Sequence, residues 1–345
     1  MHTIETTTPV ERAAAVKLLP MIWGIHISRC VYAVAELGIP DLLADGQRSS
    51  AELAAATDTQ EPPLYRVLRA LAGLGVLEEQ DPRLFGLTIV GERLITGAPL
   101  GMRTWATFME SIGGVRPFAH ILETIRTGKP GREIEFGTDL FEFLARNEEA
   151  AAVFDAAMAE RTAAYAPSVA DAYDFSDVRT IVDIGGGNGT LLVEILRRHP
   201  HLSGVLFETP TVAARADAVL DATDIADRCK VHAGDFFQQI PDPADCYVLA
   251  NVLHDWDDAR SIQILRNCRH AMSLAGRVLI IERLIPDDGS DPMPTLLSDI
   301  NMLIMTGGQE RTNAEYSKLL TAAGLTLGLV QPVAFPYGIV EGVAA

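Results

Sequence analysis

His254 stands in YVLANVLHDWDDARSIQIL, directly after an apolar run and with an acid beside it at Asp255. Two more acids close later segments, Glu282 in VLIIERLIP and Glu310 in TGGQERTNAEY. Carboxylates around an imidazole orient the ring and raise its basicity, which is how a general base is made. A lone histidine at a strand end is more often structural, so this reading rests on the residues converging.

A second cluster lies upstream. In IVDIGGGNGTLLVEIL an apolar strand ends at Asp183, a turn with Gly185, Gly186, Gly187 and Gly189 follows, and a helix begins near Asn188 or Thr190. Glycines in such a turn let the backbone approach a ligand and aim amide groups at it. A dinucleotide fingerprint needs G-x-G-x-x-G, and counted from Gly185 its last glycine falls on Thr190. A dehydrogenase is therefore disfavoured. Glu208 in SGVLFETP comes nineteen residues after Gly189, where an acid ending the next strand can accept from both ribose hydroxyls. Asp235 and Phe236 in HAGDFF follow the third strand-like run, so a third acid stands after a third consecutive strand.

These residues need a scaffold. RTIVDI, SGVLFE, CKVHAG, DCYVLAN and GRVLIIE are short apolar runs separated by helical stretches, a pattern that implies a parallel sheet covered on both faces. Before about residue 165 the apolar spacing is three and four residues, so that half is mostly helical. Within it, SSAELAAATDTQEPPLYRVLRALAGLGVLEEQDPRLFGLTIV reads as a winged helix: Ser49 or Ser50 caps one helix, Pro62 and Pro63 open the next, and Gly73 and Gly75 end it. The Gly- and Pro-rich segments 128–137 and 286–294 read as loops. The expected division is 1–100, 101–165 and 166–345.

The chain has 345 residues, 48% of them hydrophobic, and a formal charge of -18. That balance is globular, and its negative field disfavours nucleic acid and anionic membranes. Between 35 and 100, ten acids face five arginines, and the would-be recognition helix offers only Arg66 and Arg69, which argues against a DNA-binding regulator. Cys30, Cys229, Cys246 and Cys268 are far apart and show no metal-type spacing, which fits a reducing compartment. Glu5 and Glu11 stand where a secretory leader would be basic, and no apolar run of transmembrane length follows, so a cytoplasmic protein is expected.

The spacing D-x-G-x-G-x-G resembles the first motif of class I S-adenosylmethionine-dependent methyltransferases. LHDWDD and GGQERT together resemble the O-methyltransferases that include the plant caffeate and animal acetylserotonin enzymes, and specifically their bacterial natural-product branch. The resemblance spans nearly the whole chain. It implies a class I α/β fold, a Rossmann-like seven-stranded sheet preceded by a mostly helical winged-helix-like dimerisation domain, with 101–165 as a linker and substrate-pocket region. The implied reaction moves the methyl of S-adenosylmethionine to a phenolic hydroxyl of an aromatic small molecule, leaves S-adenosylhomocysteine and requires no metal. N-methylation or chemistry other than methyl transfer stays as the alternative. By motif position His254 would be the base, braced by Glu282 and Glu310, with Asp255 beside it. Asp183, Gly185, Gly187, Glu208, Asp235, Phe236, Asn251 and Trp256 would hold the cofactor. Phe108, Met109, Phe154, Met158, Arg161, Asn301, Met302 and Met305 would line the acceptor pocket. The pattern also implies a homodimer through N-terminal helices, where Met21, Ile22, Trp23, Ile25, Ile27 and Val31 are too apolar for an exposed helix. Two departures stand out: Glu208 replaces the usual Asp, and Ala250 replaces a lysine of the plant enzymes.

Overall fold

The computed structural model describes residues 8–241, 243–286, 290–334 and 336–345, so Glu5 lies outside it. The chain divides into two compact units, Met1–Met109 and Glu110–Ala345.

The first unit carries helices Pro9–Ile22, Gly24–Glu36, Ser50–Ala56 and Glu61–Gly73, and a small antiparallel sheet of Arg48–Ser49, Leu84–Leu87 and Leu77–Asp81. Ser49 is the cap of its helix, paired with Glu52 in a reciprocal capping box. Pro62 and Pro63 occupy the first turn of Glu61–Gly73, whose Leu64, Leu68 and Leu71 share one face and join Leu53 and Phe85 in a core. This is a winged helix. In the single chain Met21, Ile22, Trp23 and Ile25 are exposed, and Ile27 and Val31 half-buried.

The second unit is built on one sheet. Its strands are β1 (Thr180–Ile184), β2 (Ser203–Glu208), β3 (Cys229–Ala233), β4 (Ala244–Ala250), β5 (Met272–Arg283), β6 (Leu325–Pro332) and β7 (Tyr337–Ala344). They lie in the order β3-β2-β1-β4-β5-β7-β6. The first five are parallel, whereas β7 runs antiparallel to both β5 and β6. The alternating pattern implied only parallel strands; the short link from Pro332 to Tyr337 permits a hairpin and no crossover. Alternate residues face opposite layers. Ile181, Val248, Leu279 and Ile281 pack with helices Glu148–Ala172 and Thr190–Arg198, while Val182, Tyr247, Val278 and Ile280 pack with Asp258–Ala271 and Asn313–Ala322.

Three readings of the sequence change. The boundary near 165 falls inside helix Glu148–Ala172, which continues through Pro167, and Tyr165, Ala166, Val169 and Ala170 already belong to the sheet core. The switch in pattern marks where strands begin, not where the packed body begins. The stretch 128–137 is a loop only at 128–130: Gly128 and Gly137 are left-handed caps ending helices Ile121–Thr127 and Gly131–Phe136. Likewise helix Met293–Met305 begins within the expected loop 286–294, with Pro294 in its first turn. Among the described residues no single helix is long and apolar enough to cross a membrane.

Candidate active site

Because β1 to β5 are parallel, their carboxyl ends share one edge of the sheet. The order reverses beside β1, since β2 and β3 lie on one side and β4 and β5 on the other, and open α/β sheets bind ligands at such a switch point. The loops there carry Gly185–Gly189, Glu208, Asp235, Asn251–Trp256 and Glu282 in neighbouring positions.

His254 lies on the one-turn helix Leu253–Asp255 after β4 and is 3% exposed. Its Nδ1 is 3.3 Å from Glu282 Oε2 and 3.3 Å from Glu310 Oε1, while Nε2 is 3.9 Å from Asp255 Oδ2. Burial opposes the charged ring, but Glu282, Glu310 and Asp255 outweigh it and push the imidazole up to about 9. Glu282 is fully buried, and burial drives its carboxyl up to about 7 against the pull of His254. Its Oε1 accepts from the amides of Val252 and Leu253 at 3.0 Å and of His254 at 3.3 Å, so one oxygen fixes the turn and the other faces the ring. Glu310 is buried too, yet His254 and the Ser298 hydroxyl, which donates at 2.6 Å, hold it below the usual carboxylate range. Arg283 in turn donates to Ser298 at 2.7 Å. The three ligand-type atoms lie within 4.8 Å of one another, close enough for a divalent cation, but the amides and hydroxyl already engaged suit a proton-holding triad.

The turn is also held from behind. Gln309 N donates to His254 O at 2.9 Å, and a Cβ on Gly308 would stand 1.9 Å from that same oxygen. Arg311, 1% exposed, donates to Leu253 O at 3.0 Å and Trp256 O at 2.9 Å. The sequence reading did not single out Arg311; its only signal was the arginine of GGQERT.

On the other side of the switch point, Gly187 has φ +60 and nothing within 4 Å of a would-be Cβ, so it faces open space. Its amide donates to Glu208 Oε1 at 2.9 Å, and Thr209 N donates to Oε2 at 2.8 Å. The longer arm of Glu208 thus folds back on the glycine turn, and its burial pushes the carboxyl up. Asp183 is 1% exposed with neither oxygen hydrogen-bonded; burial and nearby Glu208 push it up to about 7. Asn251 holds the uncommon φ of +54, donates to Tyr165 OH at 2.7 Å and keeps Oδ1 buried without a partner. Asp235 is exposed and accepts from Phe237 N at 2.9 Å. Phe236 stands edge-on to Trp256 at 6.2 Å between ring centroids, and Trp256 stacks on Phe141 at 5.6 Å. An open glycine cradle, two buried acceptors without partners and an aromatic wall fit an adenosyl ligand carrying cationic groups.

Phe154, Met158, Arg161 and Tyr165 follow one another at helical spacing on one face of Glu148–Ala172. That face looks to the His254 turn, since Arg161 feels Tyr337, Tyr165, Asp255 and Glu310, and its charge draws Asp255 down against burial. Asn301, Met302 and Met305 continue the helix whose Ser298 binds Glu310; Met302 and Met305 are buried and Asn301 half-buried. Phe108 and Met109 lie on helix Arg103–Ser111, at the end of the first unit, where Phe108 packs on Trp105 at 4.7 Å.

Comparison with known proteins gives two family matches: an O-methyltransferase domain over residues 118–326 and an O-methyltransferase dimerisation domain over 19–97. The chain is 44% identical to the phenazine O-methyltransferase PhzM of Lysobacter antibioticus, covering 97% of this chain and 98% of that one. It is 36% identical to the 8-amino-8-demethylriboflavin N,N-dimethyltransferase of Streptomyces davaonensis, covering 98% and 97%. Among solved structures, the O-methyltransferase NcsB1 from neocarzinostatin biosynthesis, in complex with S-adenosylmethionine and 2-hydroxy-5-methyl naphthoic acid, superposes with a TM-score of 0.81 at 33% identity, covering 92% and 96%.

Proposed function

Since the chain belongs to the S-adenosylmethionine-dependent O-methyltransferases of natural-product biosynthesis, we propose that it methylates a phenolic hydroxyl of an aromatic small molecule with His254 as general base. The observation that carries this reading is the buried imidazole whose Nδ1 is shared by two carboxylates at 3.3 Å. That sharing keeps the proton on Nδ1 and leaves Nε2 as the atom that takes the acceptor's proton. Asp255, near Nε2, supports the imidazolium so formed.

S-adenosylmethionine, when bound, supplies a methyl group made electrophilic by its sulfonium. Gly185 and Gly187 offer the backbone cradle, and Glu208 is placed to exchange its amide contacts for ribose hydroxyls. Asp235, Phe236 and Trp256 would take the adenine, and the free acceptors of Asp183 and Asn251 the cationic end. Phe154, Met158, Arg161, Asn301, Met302 and Met305 would wall the acceptor. Methionine-rich walls adapt to flat aromatics. Alignment of the two reactants can contribute roughly 7 to 11 kcal/mol and base assistance about 100- to 10,000-fold, so positioning dominates.

The dimerisation-domain match supports a homodimer, and the exposed run from Met21 to Ile25 is the surface we assign to it. The riboflavin relative's name favours a second reading, an amino acceptor. An amine sheds its proton after attack, so such a substrate would not need His254. A labelled-methyl assay of the wild type and His254→Ala across phenols, hydroxyphenazines, naphthoates and aryl amines separates the two. Turnover of a phenol that survives the substitution unchanged would reject the base.

A further inference from the structure

We propose that Arg311 is a positioning residue for the methyl transfer, a buried guanidinium that fixes the Leu253–Asp255 turn by its carbonyls while Glu282 fixes it by its amides. The inference rests on the reading of His254 as base and names a residue outside the triad that this base depends on.

A one-turn helix has too few internal hydrogen bonds to hold a side chain in place. Its donors at Val252, Leu253 and His254 all end on Glu282 Oε1. Its carbonyls end on the segment after helix Met293–Met305: Leu253 O on Arg311 Nη1, His254 O on Gln309 N, and Trp256 O on Arg311 Nη2. Arg311 Nη2 also donates to Asp258 Oδ1 at 2.8 Å, at the start of helix Asp258–Ala271. Its own backbone is registered on the sheet, bridging Leu284 and accepting from Ile285 N at 3.1 Å. The segment therefore links three things: the edge beyond β5, the catalytic turn and the next helix. It also carries Glu310, whose carboxylate faces His254 Nδ1. Arg311 thus sets at once where the ring stands and where one of its braces stands. A lysine has a single ammonium on a flexible stem and cannot span two carbonyls and a carboxylate in one plane.

The test uses the full-length dimer with a phenolic acceptor. Arg311→Lys is expected to lower kcat about 10- to 100-fold with S-adenosylhomocysteine affinity, read by titration calorimetry, within about threefold of wild type. The acid limb of its kcat/KM profile should move to lower pH, because a loosened turn separates Nδ1 from its carboxylates. Guanidinium ion at millimolar concentration should restore part of the turnover of Arg311→Ala. Should that variant not fold, Asp258→Asn serves instead, since Asp258 is 63% exposed and lies outside the packed core. It should lower kcat about 2- to 10-fold with the same pH shift. The proposal is overturned if kcat and the pH profile of Arg311→Lys match wild type. It is equally overturned if kcat, cofactor affinity and thermal stability fall together with no pH shift in either variant. Failure of His254→Ala to affect any phenol would instead overturn the base reading beneath it.

Discussion

Replacing His254 by alanine and recording kcat/KM against pH for two acceptors of different acidity tests the base through its charge state. The carboxylates of Glu282, Glu310 and Asp255 overcome burial and lift the imidazole to about 9. Below that pH the ring is an imidazolium and cannot accept a proton; at pH 7.5 only ~3% is neutral. A weakly acidic phenol has a pKa near 10. Forming its phenolate beside an imidazolium from the resting state then costs about 2.5 pK units, roughly 3.4 kcal/mol, against about 4.8 kcal/mol for a histidine of pKa 6.5. The carboxylates therefore lower the barrier by about 1.4 kcal/mol, near tenfold, and further basicity would add nothing because the base would simply rest protonated. For such a phenol kcat/KM should climb about tenfold per pH unit from 6 to 8 and bend near 9. An acceptor of pKa near 7 arrives largely as the anion, pairs with the imidazolium and should show a flat profile between about 7 and 9. His254→Ala should cost the first about 100- to 10,000-fold and the second less than about tenfold. An inflection near 6.5 for the weakly acidic phenol would refute the claim that the carboxylates hold the ring.

Asp183→Asn should stabilise the free enzyme by roughly 1 to 3 kcal/mol at pH 8. The folded carboxyl sits at about 7, above its unfolded value near 4, so its penalty is absent below about pH 4, grows as pH rises from about 4 to 7 and is complete above 7. Urea unfolding at pH 8 and pH 4 should show the gain only at the higher pH, alongside weaker S-adenosylmethionine binding; a loss at pH 8 would mean the carboxylate has a partner. Gly308→Ala places a methyl 1.9 Å from His254 O, and should lower stability by about 1 to 3 kcal/mol and turnover more than tenfold. Normal turnover there would show that the turn can move freely. Trp23→Glu with Ile22→Glu puts charge into the exposed N-terminal run and should convert the dimer to monomer in light scattering at micromolar concentration, whereas an unchanged mass would place the interface elsewhere.

What could be read from the sequence follows from what each residue touches. The runs from RTIVDI to GRVLIIE were legible because strands buried on both faces are continuously apolar. The hairpin LTLGLVQP and YGIVEGVA, broken by Gly328, Gly338 and Gly342, carried no comparable signal, and its presence followed only from the family resemblance. Segment 128–137 misled because glycines and a proline that cap short helices look the same in sequence as those of a loop. His254, Glu282 and Glu310 were legible as chemistry because acids and a histidine at strand ends are unusual together. Arg311 was not, since an arginine next to a glutamate reads as a solvated pair, whereas its partners are main-chain carbonyls that no side-chain pattern displays. Electrostatics adds the last step. Glu282, Glu310 and Asp255 face one imidazole, with Arg161 acting on Asp255 and Arg283 on Glu310. When all three carboxyls are ionised they face two guanidiniums, which leaves one negative charge for the imidazolium to cancel. Proton transfer from the acceptor therefore ends in the neutral arrangement of this cluster, and the acidity that sets the whole chain at -18 is here locally balanced only when His254 has taken up its proton.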